Sequence, residues 1–173
     1  MKFLKCLLLV FLFTSCGTLV NYDYEKSTDF AKYKTYNYFD DMETGLSQLD
    51  DKRLMRAIDA KLSTMGLTRS ENPDFFIDIQ SEDVMNRNNS SVGVGAGGGG
   101  GGGFGGVSVG IPLGGNQNTR AIVIDFVDKA QNEKLFWQAA SESNYKPNAS
   151  PEKREETFVK LVDKIFAGYP PKK

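Results

Sequence analysis

The chain has 173 residues, the length of one domain with a tail or long loop besides. Its 21 Lys+Arg and 22 Asp+Glu give a formal charge of -1, so no strong basic field is present to hold nucleic acid. Histidine is absent and the two cysteines, Cys6 and Cys16, both fall near the start, which argues against hydrolytic triads, zinc enzymes and redox-thiol proteins.

Lys2 and Lys5 precede an apolar run, Leu7 to Phe13. The run is too short to cross a hydrocarbon core of about 30 Å as a helix, and it fits a signal peptide over residues 1–15. Phe13-Thr14-Ser15-Cys16 resembles the bacterial lipobox, with Phe13 where Leu is usual. That resemblance implies that the Cys16 thiol carries lipid and becomes the mature N-terminus. Two or more acyl chains would hold the protein on a membrane without a transmembrane helix. An ordinary signal peptide with a coincidental cysteine is the alternative. Gly17 to Asn21 contains no acidic residue. By resemblance to sorted lipoproteins, this places the protein on the outer membrane, facing the periplasm.

Residues 16–26 read as the lipidated cysteine and a tether merging into a strand, since Val20, Tyr22 and Tyr24 alternate. Residues 27–173 read as one domain. Tyr33 to Phe39 is rich in aromatic and β-branched residues and reads as a strand. Leu54, Ile58, Leu62 and Met65 then make one apolar helical stripe, with Asp50 and Asp51 at its start and Gly66 at its end. Phe75, Ile77 and Ile79 alternate with Asp78, Gln80 and Glu82, the pattern of a strand with one wet face.

Between residues 88 and 119 the composition shifts to a glycine-rich insertion, including the run Gly97 to Gly103. Such a run buries too little side chain to offset its backbone entropy. A phosphate cradle would need Lys-Ser/Thr and a helix after the glycines, and neither follows. The segment reads as a loop or ribbon tip, or as an interaction arm with Phe104 as a small apolar anchor.

Ile122, Ile124 and Phe126 alternate with Val123, Asp125 and Val127, and a polar turn leads to Leu135-Phe136-Trp137. This is a hairpin pattern. Ser150 and Pro151 suit the N-cap and first turn of a last helix, with Phe158, Leu161, Val162 and Ile165 on its apolar side. The expected fold class is α+β. Two helices lie on one face of a mainly antiparallel sheet, and the glycine-rich insertion runs between strands.

Several of these residues together carry a family resemblance. They are Cys16, Asp29-Phe30 with Tyr33-Lys34-Thr35-Tyr36, Pro73-Asp74-Phe75, Ile122-Val123-Ile124-Asp125 through Asp128 to Leu135-Phe136-Trp137, and Tyr169-Pro170. In this order they resemble the bacterial lipoproteins of the domain-of-unknown-function 4136 family. The resemblance implies an envelope lipoprotein with an α+β fold and no assigned catalytic residues.

The functional expectation is a membrane-anchored binding or scaffolding domain, with an envelope protein or glycan as partner. It has no catalytic, cofactor or metal residues, and Phe104 and Trp137 are the candidate contact residues. Trp137 reads first as a core residue, with an exposed ligand platform as the alternative, and the N-terminal tyrosines read as packing, with an aromatic groove as the sharper alternative. The alternative is an enzyme acting on an envelope polymer through Asp78 and Asp125, if register brings them together. Calcium at Asp40, Asp41 and Glu43 is an alternative of similar weight, since their spacing matches no known loop.

Overall fold

The computed structural model describes residues 18–85, 118–130 and 134–172. Cys16 and Phe104 lie outside them. Six strands form one sheet: β1 (Leu19–Tyr24), β2 (Thr35–Tyr38), β3 (Thr68–Arg69), β4 (Phe75–Met85), β5 (Asn118–Asp128) and β6 (Lys134–Tyr145). Their order is β1-β6-β5-β4-β2-β3. The pairs β1/β6, β6/β5 and β5/β4 are antiparallel, whereas β2 runs parallel to both β4 and β3. The expected α+β class holds. The sheet is mixed and open because two parallel strands need a long crossover between them, which helix α1 (Gln48–Thr64) supplies. β1 uses residues inside the stretch read as tether, so the chain joins the sheet by Leu19.

Local chemistry sets the helix ends. The Ser47 hydroxyl accepts from the Asp50 amide, Asp50 and Asp51 sit in the first turn, and Gly66 follows the C-cap at φ +81°. Helix α2 (Pro151–Ile165) starts as its sequence suggests, with the Ser150 hydroxyl accepting from the Lys153 amide and Pro151 in the first turn.

Both helices pack on one sheet face. Leu54, Ile58 and Leu62 of α1 and Phe158, Leu161, Val162 and Ile165 of α2 join Phe75, Ile77, Ile79, Ile122, Ile124 and Phe126 in one core. A bulge shapes its far end. Phe126 faces Trp137 while Val127 faces Leu135, so Phe136 is the extra residue. Strict alternation would send Phe136 or Trp137 outward, but both are buried. Trp137 has no exposed surface and stacks on Phe166, with 5.6 Å between ring centroids. Its ring is a core element and offers no exposed platform for a ligand.

Candidate functional site

Asp29, Tyr33, Lys34, Thr35, Asp74, Asp128 and Phe136, part of the set that carries the family resemblance, converge at one end of the sheet, where they tie the fold together. Asp29 caps a single 3-10 turn through the Ala31 amide. The Asp74 carboxylate accepts from the backbone amides of Lys34 (2.8 Å) and Thr35 (2.9 Å), joining β2 to the start of β4. Burial pushes its pKa up, but these two amides outweigh that and hold it below the usual carboxylate value. Asp128 is buried and accepts from the Tyr33 hydroxyl at 2.6 Å and the Lys32 ammonium at 2.7 Å. Tyr33 in turn stacks on Phe136. Every one of these contacts is internal, so this end is architecture.

The opposite, helix-free face of the sheet is different. Register partners share a face. Asp78 of β4, Asp125 of β5, Gln138 of β6 and Asp23 of β1 therefore form one row across four strands. Neighbouring rows place Gln80 beside Val123, Ala140 and Asn21, and Glu82 beside Ala121, Glu142 and Leu19. The outward positions of these strands carry five carboxylates, Asp23, Asp78, Glu82, Asp125 and Glu142, and no Lys or Arg among the described residues. Val123, Val127 and Ala140 lie between them, half-buried.

Asp78 and Asp125, whose facing the sequence leaves open, are direct register partners. Burial raises the Asp125 pKa; the Gln138 amide, donating at 2.8 Å, opposes this, and the Asp78 charge adds to it. Asp78 accepts from Gln80 Nε2 at 3.1 Å.

Beside this row the β2–α1 loop folds against the free edge of β4. Thr44 O accepts from the Ser81 amide at 2.7 Å, which blunts an otherwise unpaired edge. Gly45 makes the approach possible, because its φ is +75° and a Cβ there would lie 2.7 Å from Ser81 O. The loop and the strand enclose an open recess of about 500 Å³, lined by Phe39, Asp41, Glu43, Asp78 and Gln80 among others. Asp125 does not line it. Among the described residues, no group of three or more His, Cys, Asp or Glu has the geometry to hold a metal ion, and Asp40, Asp41 and Glu43 do not form one.

Cations gather on the helix side instead. Asp50, 1% exposed, accepts from Arg53 Nη1 (2.9 Å) and Arg154 Nη1 (2.7 Å), and Arg120 Nη1 stands 3.7 Å away. Arg120 also pairs with Asp83 at 2.6 Å and lies 3.5 Å over the Tyr145 ring. Sequence reasoning missed this cluster, since its members come from α1, β4, β5, β6 and α2 and no local spacing links them.

Comparison with known structures finds this fold elsewhere at low identity. A PDZ domain protein from Parabacteroides distasonis superposes with a TM-score of 0.57 at 16% identity, covering 91% of this chain and 37% of that one. The present chain thus spans little more than a third of that protein. A PelC variant from Paraburkholderia phytofirmans, whose structure is a dodecamer, gives 0.51 at 9% identity, covering 87% of this chain and 95% of that one. At these identities the likeness is one of fold. No curated protein matches the sequence. The family model described as "Domain of unknown function (DUF4136)" matches residues 20–171, and the chain belongs to that family.

Proposed function

We propose that this protein is an envelope lipoprotein, held by lipid on Cys16 at the periplasmic side of the outer membrane, whose domain binds rather than catalyses. The supporting observation is the helix-free sheet face, with its row of carboxylates, apolar residues between them and no Lys or Arg at the described outward positions of β1, β4, β5 and β6. Such a face suits a partner presenting basic groups, and we assign it to a basic segment of another envelope protein. The carboxylate pair lies on an open sheet and is not enclosed in a cleft with both members lining it. That favours docking over chemistry, which gains from excluded water.

The test is recovery of the intact protein from membranes, wild type against Gln80→Lys/Glu82→Lys. Both positions are exposed on the outward face. A docking face predicts partners that are lost in the variant and released by salt. Capture of the same set by both proteins, insensitive to salt, would remove the face from the account. Because PelC is dodecameric, the recovered material is also weighed for copies of this chain.

The register pairing of Asp78 with Asp125 favours one rival, a carboxylate-dependent enzyme acting on an envelope polymer. That reading predicts turnover of isolated envelope polymer by the purified protein, abolished by Asp125→Asn.

A further inference from the structure

A second cavity, of about 480 Å³, opens on the helix side of the sheet, between the ends of β5 and β6 and the first turns of α2. Its volume is at the small end of those that hold drug-sized ligands. Its inner wall is made by Ile122, Phe158 and Leu161, each buried. Its charged lining is one-signed: Arg120, Lys146, Lys153 and Arg154 contribute, and no carboxylate among the described residues lines it. Arg120 and Arg154 already have carboxylate partners, the exposed Asp83 and the buried Asp50. Lys153 reaches Glu156 at the exposed surface, and Lys146 has no salt-bridge partner among the described residues. The site therefore combines an apolar pouch with two exposed ammonium groups.

Its position matters as much as its lining. β1 enters the sheet at Leu19, opposite Glu142, and the next residues along β6, Ser143 to Tyr145, line the cavity. Cys16 is three residues before Leu19, so full extension allows it about 10 Å from the strand. An anchor at Cys16 would hold this end of the sheet toward the membrane.

The geometry points to this cavity as a binding site for a single acyl chain with an anionic head, a free fatty acid taken from the membrane surface. The chain lies on Ile122, Phe158 and Leu161, and Lys146 and Lys153 hold the carboxylate at the mouth. The membrane source rests on the anchoring proposed above; the cavity and its charge do not.

The test uses the full lipidated protein in phosphatidylcholine vesicles and a photoreactive palmitate carrying a diazirine on its chain. The uncharged alcohol of the same chain and a photoreactive lysophospholipid are run alongside. Labelled peptides are mapped on total protein, so a failure of anchoring would show as protein free of vesicles and would not hide labelling. The site predicts palmitate labelling on residues 143–161, with less from the alcohol and the lysophospholipid. Thr157→Trp, at an exposed position on the cavity wall, should fill the space and cut labelling about ten-fold. Lys146→Glu/Lys153→Glu should cut palmitate labelling about three-fold and leave the alcohol unchanged. Thermal unfolding checks that both variants are folded. Equal labelling by palmitate and alcohol, labelling confined elsewhere, or wild-type labelling of folded Thr157→Trp would overturn the site. Preference for the lysophospholipid would overturn the fatty-acid assignment.

Discussion

Asp125 lies on β5 and Asp74 just before β4, and the fold treats these two carboxylates oppositely. Burial raises the Asp125 pKa, so the folded state resists its ionisation. Its stability contribution is full below the unfolded pKa of about 3.9 and is lost as pH rises through the folded value. Asp125→Asn should therefore raise the melting temperature at pH 7 by a few degrees, with the gain vanishing below about pH 4. Asp74 has a depressed pKa because the amides of Lys34 and Thr35 outweigh its burial. Its contribution is present above about pH 3.9 and fades as pH falls through the folded value, so Asp74→Asn should lower the melting temperature at pH 7 and converge with wild type in acid. Melting curves of both variants between pH 3 and 7 decide this, and equal signs at pH 7 would contradict it. If the face binds a partner as proposed, a destabilising carboxylate kept there is the stability cost of that role. Asp50 is a different case, since removing it leaves Arg53, Arg120 and Arg154 together without their shared counter-charge. Asp50→Ala should cost about 3–5 kcal/mol in denaturant unfolding. A loss under 1 kcal/mol, the scale of a surface pair, would mean that the cluster is not electrostatically held.

At the level of elements, β1 is attached by few contacts outside its ladder with β6. The Tyr22 hydroxyl donates to Lys164 O at 2.8 Å, and its ring lies over Gly168, where a Cβ would come within 2.7 Å. Gly168→Ala should displace that exposed ring, speed hydrogen exchange of β1 amides and leave β4 and β5 protection unchanged. Unchanged exchange in β1 would show that the ring does not hold the strand. The helices and the faces of β4 and β5 were legible in the sequence because each follows from local periodicity and caps. Asp78 and Asp125 could be read as outward residues for the same reason. Their pairing could not, because alternation sets a face and says nothing of strand order or register. β2 running parallel, and β3 with only two residues, leave no periodic trace. The Phe136 bulge breaks the very alternation from which Trp137 would be placed.

Across the whole molecule, Met85 and Asn118 are register partners at the end of the β4–β5 ladder, so the glycine-rich segment joins two strand ends already side by side. Deleting Gly95–Gly106 should leave cooperative unfolding intact, because loop closure costs only about 0.6 kcal/mol per doubling of length. Loss of the cooperative transition would make the segment part of the packed domain. None of the helices among the described residues is long and apolar enough to cross a membrane. The proposed membrane attachment therefore rests on Cys16, and on this the placement of the sheet face and of the acyl-chain cavity depends. Fractionation of cells expressing wild type or Cys16→Ser tests it directly. The account predicts wild type in the outer-membrane fraction and the variant released to the periplasm or left as a slower-migrating precursor. Identical partition and migration of the two proteins would contradict it.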